Sequence, residues 1–322
     1  IGAANTGARA LVPTSGGGFS LMVEGLGLAG ITETPLVIVN MQRPGPATGL
    51  PTRTEQADLL FAVHAHQGEF PRYIIAPHSP EEAFNSMVRA FNIAEQYQIP
   101  VIVLGDQYLA DSLKTIAPFD FNNVEIERGK LLSKEDGDSL GANYKRHLLT
   151  DDGISPRAFP GTSKAIVKTA GDEHDEMGGF IEDAPTRLEQ HEKRLRKFIA
   201  LRETTKKPII YGPEDASIAL ISWGSSYGAT KEAVDILNIN GRSTKMIHFV
   251  DVYPLSPEVV INSIIGCKGR ISVEGNATAQ FARLIKAETG VGMTGYILRY
   301  DGRPLTAEYI VDKVNKGGDQ PW

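Results

Sequence analysis

Two apolar runs constrain the fold of this chain more than any other feature. Residues 35–39 read Pro-Leu-Val-Ile-Val and residues 100–104 read Pro-Val-Ile-Val-Leu. Neither alternates with polar residues. Such runs suit strands covered on both faces, as in a parallel sheet. Helical apolar spacing over 81–97 precedes the second run, and Ser79, Pro80, Glu81 and Glu82 give it a capping serine, an early proline and two first-turn acids. Shorter runs at 10–13 and 72–76 add strands. The spacing places further helices at 1–10, from the glycine-rich turn to about 30, and from Gln56 to Val63. From about 118 to 207 the regularity lapses. Strand-like runs at 217–222, 245–249 and 270–273, with helices at 228–237 and 279–289, then restart the pattern. The expected organisation is an α/β unit over 1–117, an irregular arm over 118–207 and a smaller α/β unit over 208–322. Ninety residues exceed an ordinary loop, so the arm is expected to pack on a partner chain. Its helical stretch 189–201 carries mixed charges that read as a solvated face.

Composition removes several function classes. The net charge is −6 with no basic tail, which argues against nucleic acid. The single cysteine, Cys267, allows no disulfide within the chain and no cysteine-ligated zinc or iron–sulfur site. No apolar run approaches the roughly 20 residues of a membrane span, and nothing reads as an export signal, so a cytoplasmic setting is expected. Ile1 opens on residues already suited to a helix, and a further N-terminal piece is expected beyond this sequence.

The chemistry-bearing stretch is residues 40–54, which hold three prolines and two glycines between a strand and a helix. Those residues shape a loop rather than loosen it. Arg43 can grip a carboxylate with both arms of its guanidinium, and Thr48, Thr52 and Thr54 can donate hydrogen bonds beside it. A rigid connection with solvated arginines is the alternative. Upstream, Thr14, Ser15, Gly16, Gly17 and Gly18 form a glycine-rich turn between a strand and a helix. That order suits an anion or heterocycle, although such turns also serve as simple punctuation. Asp106 closes the run 100–104, as either a functional acid or a helix cap. His64, His66 and Glu69, and separately residues 172–176 with His174, have the residue types of metal ligands but the spacing of polar turns, so no metal site is expected.

Together these stretches resemble a known family. The run from Gly2 to Gly18, Glu24-Gly25-Leu26, Thr34-Pro35, the 40–54 loop, 106–111, 153–157, 172–176, Trp223-Gly224-Ser225 and 300–304 are similar to the α subunit of 2-oxoacid:ferredoxin oxidoreductases, most of all the 2-oxoglutarate type. The resemblance covers nearly the whole chain. It implies a thiamine diphosphate-fold pyrimidine-binding domain, a parallel sheet with helices on both faces, followed by a transketolase C-terminal-like α/β domain. It implies oxidative decarboxylation of a 2-oxoacid to an acyl-coenzyme A and CO₂, with electrons passed to ferredoxin. By the same resemblance Thr14, Ser15, Gly16, Gly17 and Phe19 lie near the thiamine aminopyrimidine, and Arg43 grips the substrate carboxylate with Thr48 and Thr52 beside it. A β subunit is implied to supply Mg²⁺, the diphosphate site and an iron–sulfur cluster, in an α₂β₂ assembly or one with added γ and δ chains. The family's YPITP motif and its thiamine-activating glutamate would lie upstream of Ile1, so no catalytic residue is expected within this chain. The rival readings are another thiamine enzyme of the transketolase or pyruvate dehydrogenase E1 kind, and a non-catalytic scaffold that keeps the fold.

Overall fold

The computed structural model describes residues 1–321. Ten strands form two five-stranded sheets. The first half of the chain contributes β1 (Leu11–Thr14), β2 (Leu36–Gln42), β3 (Tyr73–Ile75) and β4 (Pro100–Asp106). The second contributes β5 (Ile209–Tyr211), β6 (Ile218–Trp223), β7 (Thr244–Phe249), β8 (Asp251–Tyr253), β9 (Gly269–Glu274) and β10 (Gly295–Leu298). One sheet runs β1-β2-β4-β3-β8 and the other β10-β9-β6-β7-β5. Both are parallel except at one edge, where β8 and β5 run antiparallel.

The two constraining runs sit where their composition requires. β2 and β4 are neighbours inside the first sheet, paired from Leu36 opposite Pro100 to Gln42 opposite Asp106. Val37, Ile38, Val101 and Ile102 are buried. Their polar ends, Gln42 and Asp106, therefore emerge side by side at the carboxyl edge of the sheet. Strand β8 leaves the second half and pairs with β3, Ile74 opposite Tyr253. One apolar cluster continues from Phe19, Ile38 and Ile102 to Trp223, Phe249 and Phe281. The two halves thus share a core as well as a sheet.

Several local expectations shift. The capped helix spans Pro80–Tyr97, and Ser79 accepts from the Glu82 N–H. The N-terminal helix is only Gly2–Asn5. The helix after the glycine-rich turn breaks at Met22 into Gly16–Leu21 and Val23–Ile31. The helix expected from Gln56 starts at Leu59, because the second half diverts the bond that would begin it: the Gln56 carbonyl accepts from Asn276 and the Leu60 N–H donates to Gln280.

The arm requires the largest correction. Its charged helix, Ala184–Thr204, does not present a solvated face: Lys193, Arg194 and Lys197 are almost completely buried. They pack on their own chain. Lys193 Nζ and Lys197 Nζ lie 2.6 and 2.5 Å from the two oxygens of Glu33, and His147 Nδ1 lies 3.0 Å from it. Burial alone would raise the Glu33 pKa, but the two lysines and His147 hold it well below the usual range. Burial pushes Lys193 down to about 8 against the pull of Glu33. Arg194 forms two bonds to Glu173, at 2.9 and 2.7 Å. The arm is therefore fastened by buried charge to the turn between the helix Val23–Ile31 and β2.

Removing one partner of a buried ion cluster leaves the others uncompensated. Glu33→Gln is expected to destabilise the chain by about 3–5 kcal/mol in urea unfolding. Arg187→Ala removes only an exposed guanidinium from Glu173, which Arg194 still binds, and is expected to cost about 1 kcal/mol or less.

Candidate functional site

The carboxyl ends of β1, β2 and β4 lie side by side at one edge of the first sheet. Thr14 ends β1 directly opposite Asn40 of β2. Ser15 then turns in extended geometry into the helix Gly16–Leu21. Asp58 joins these pieces. Its N–H donates to Gln42 Oε1 at 2.9 Å, and its Oδ2 accepts from Asn40 Nδ2 at 3.1 Å. A Cβ on Gly16 would stand 2.7 Å from that oxygen, so the Asp58 carboxyl rests on glycine backbone. Gln42 Nε2 in turn donates to the Gly105 carbonyl at 3.0 Å.

The 40–54 loop is shaped as its composition predicts. Leu50 N–H donates to the Pro44 carbonyl at 3.0 Å, and Gly49 turns with φ +53°, where a Cβ would strike that same carbonyl. The second half holds the loop's far end. Gln56 Nε2 donates to the Trp223 carbonyl at 2.9 Å, and its Oε1 accepts from the Gly275 N–H at 2.8 Å. Asn276 Nδ2 donates to the Gln56 carbonyl at 3.0 Å. Asp106 both caps the next helix, accepting from Leu109 N–H at 3.0 Å, and accepts from Ser225 Oγ. Burial raises its pKa against these bonds.

Three polar atoms around this cleft are buried without a hydrogen-bond partner: Ser15 Oγ, Asn40 Oδ1 and Arg43 Nε. These three lie near one another at the carboxyl end of the first sheet, where a bound group could supply the missing partners. Two acids lie beside them. Burial raises the Asp58 pKa, opposed by Asn40 and by the nearby Arg43 charge. Burial and the Asp58 charge push Glu55 up to about 7.

Of the residues singled out in the sequence, Thr14, Ser15, Gly16, Gly17 and Arg43 come to this end of the sheet. Thr48 and Thr52 stand exposed on the outer part of the loop, whereas Thr54 is buried and bonds Asp106. Phe19 is a correction. Its ring is fully buried, 5.1 Å from the ring of Phe61, and belongs to the core rather than to the cleft. Glu55, Gln56 and Asp58 went unrecognised. Their signal was two acids and an amide directly after an arginine-bearing loop. Elsewhere, Glu33, His147 and His174 bring ligand atoms within 4.8 Å of one another. Lys193 and Lys197 already occupy both Glu33 oxygens, which makes the cluster a poor seat for a cation. His66 pairs with Glu24 instead of with His64 or Glu69.

Residues 1–193 match the family model described as pyruvate flavodoxin/ferredoxin oxidoreductase, thiamine diphosphate-binding. The chain belongs to this family. It is 42% identical over 328 aligned positions to the α subunit of 2-oxoacid:ferredoxin oxidoreductase 1 of Sulfurisphaera tokodaii, covering 99% of this chain and 51% of that protein. The chain thus spans about half the length of the curated relatives it matches. The solved 2-oxoglutarate:ferredoxin oxidoreductase of Magnetococcus marinus, with 2-oxoglutarate, coenzyme A and succinyl-CoA bound, superposes with a TM-score of 0.91 at 34% identity, over 98% of this chain and 54% of that one. A split-gene transketolase aligns with a TM-score of 0.51 at 11% identity over 98% of this chain and 78% of that one, a likeness of fold alone. The α/β fold is therefore that of the thiamine diphosphate enzymes. A Cβ on Gly17 would meet nothing within 4 Å, and the Ser15 hydroxyl beside it has no hydrogen-bond partner.

The two glycines differ in a measurable way. Gly16→Ala is expected to displace the Asp58 carboxyl from Asn40 and to cost about 1–3 kcal/mol in thermal unfolding. Gly17→Ala meets open space in a helix and is expected to be neutral or to stabilise by up to about 1 kcal/mol.

Proposed function

We propose that this chain is part of the α subunit of a thiamine diphosphate-dependent 2-oxoacid:ferredoxin oxidoreductase that forms an acyl-coenzyme A and CO₂, with 2-oxoglutarate as the preferred substrate. The observation that carries this reading is the group of unpaired polar atoms, Ser15 Oγ, Asn40 Oδ1 and Arg43 Nε, at the carboxyl end of a sheet belonging to a thiamine-binding family. Ligands of open α/β sheets bind at that edge. The 2-oxoglutarate preference is supported by the likeness to the Magnetococcus marinus enzyme.

In this reading residues 1–117 hold the pyrimidine, 118–207 fasten the arm and 208–322 close the cleft. Thr14, Ser15, Gly16 and Gly17 form the wall for the ring. Arg43 grips the substrate's C1 carboxylate, and Thr48 and Thr52 close over it from the loop. The loop's prolines fix the guanidinium before substrate arrives, so little reorganisation is needed when charge develops. Bound there, thiamine diphosphate supplies the electron sink a 2-oxoacid needs to lose CO₂. A β subunit would bring Mg²⁺ and an iron–sulfur cluster, and ferredoxin and coenzyme A would act on the assembled cytoplasmic complex. The single cysteine of this chain agrees with a cluster carried elsewhere.

Arg43→Lys keeps the charge but loses the planar fork. With a charge-assisted bond worth about 1.5–3 kcal/mol, kcat/KM of the αβ complex for 2-oxoglutarate is expected to fall by roughly ten- to a hundredfold. Arg43→Ala should cost more, while thiamine affinity changes little in either variant. Arg53 is exposed and serves as the control. Near-normal kcat/KM in Arg43→Lys together with collapse in Arg53→Lys would put the grip on the wrong arginine.

A further inference from the structure

We propose that His78, Tyr227 and His248 form an acid-labile joint between the two halves of the chain, and that a proton taken up there loosens the hold of the second half on Gln56.

His78 follows β3 in the first half, whereas Tyr227 opens the helix Tyr227–Ile239 and His248 lies in β7. The His78 ring stacks on the Tyr227 ring at 4.2 Å and meets the His248 ring edge-on at 5.3 Å. Tyr227 and His248 stand 5.0 Å apart. His248 is fully buried, and its Nδ1 lies 2.9 Å from Ser222 Oγ. Its Nε2 and His78 Nδ1 are buried without a hydrogen-bond partner. The titratable group that acts on His248 is His78, and no carboxylate opposes it. Four charged groups face His78: Glu81 and Glu82 on the helix it precedes, Lys114 and Lys206 on other segments. They are paired with one another, Lys114 with Glu81 at 2.5 Å and Lys206 with Glu82 at 3.3 Å. A proton on either ring therefore meets a second imidazole and a tyrosine ring rather than a free counter-ion, and a buried charge of that kind is costly.

The same short stretch of backbone serves the joint and the cleft. Ser222, which holds His248, precedes Trp223, whose carbonyl accepts from Gln56 Nε2 at 2.9 Å. Gly224 then turns with φ +57°, and a Cβ there would stand 2.9 Å from Gln56 Nε2 and 3.9 Å from the Ala76 methyl. Ser225 reaches Asp106. Any shift of 222–225 that lets water reach His248 also moves the partner of Gln56.

Burial lowers the pKa of both imidazoles, that of His248 farthest. The closed joint thus favours the neutral rings. Its stability is full above the unfolded histidine value of about 6.5 and is lost as pH falls through it. Between pH 7 and 5.5 one buried imidazole raises the opening equilibrium by up to about tenfold, and two by up to about a hundredfold.

The test is hydrogen exchange of the assembled complex at pH 7 and 5.5, read by mass spectrometry and corrected for the intrinsic rate. Peptides over 222–227 and 55–60 are expected to open several-fold to a hundredfold more often at the lower pH, while 36–42 stays protected. His78→Phe keeps the stack on Tyr227 and should reduce that ratio. Adding His248→Gln, which can still bond Ser222, should bring it near one. His147 and His174 supply an internal control. Their rings lie 3.8 Å apart in the arm and are also lowered by burial, so any acid response there should persist in the double variant. Equal protection of 222–227 at both pH values in the native protein, or an undiminished ratio in the double variant, overturns the proposal. An acid response at 222–227 with none at 55–60 overturns the link to Gln56. If His248→Gln does not fold, His78→Phe alone decides, since a merely structural role would lower protection at both pH values without changing their ratio.

Discussion

Gln56 is the residue on which the cleft depends. Its backbone N–H and carbonyl and both ends of its side chain are bonded to Trp223, Gly275 and Asn276. A buried amide satisfied on every side is rigid, and leaving any one of those partners unpaired carries its full desolvation cost. The consequence is positional. The 40–54 loop is held at one end by the β2–β4 pairing and at the other by the second sheet. Arg43 and Glu55 stand between two fixed points rather than on a free loop, and Asp58 lies just beyond the second.

The cleft itself is a balance of charge rather than a simple cationic pocket. Asp58 and Glu55 are both driven towards the neutral form by burial, and the Arg43 charge acts on Asp58 in the opposite sense. Asp58 is held in place near that charge. Asn40 and Gly16 make this possible, one by a hydrogen bond and the other by having no side chain.

Much of this was legible from residues 35–39 and 100–104. Their uninterrupted apolar character dictates central parallel strands, and the polar residues that follow must then appear at one sheet edge. The capped helix at Ser79 was equally plain, since all its determinants lie within four residues. The arm was not legible, for a physical reason. Lys193 and Lys197 look like solvated charges until Glu33, far upstream, is placed against them. Burial of charge is a property of a pair that local pattern cannot display. Phe19 misled in the opposite direction: it follows the glycine-rich turn in sequence, but its ring is buried in the core. Asp58 falls outside the recognised loop, and its importance comes from contacts with Gly16 and Asn40 rather than from its neighbours in sequence.

Strand β8 carries a consequence for how the chain comes into being. Ile75 of β3 pairs with Asp251, roughly 175 residues later, and pairing across such separation is slow to form. During synthesis at about 5–20 residues per second, the outer edge of β3 waits on the order of ten to thirty seconds for its partner. For that interval an apolar strand edge, Tyr73–Ile75, is open to other chains. A nascent polypeptide of this kind is a natural client for chaperones, and its yield in a foreign host should depend on how crowded the ribosomes are.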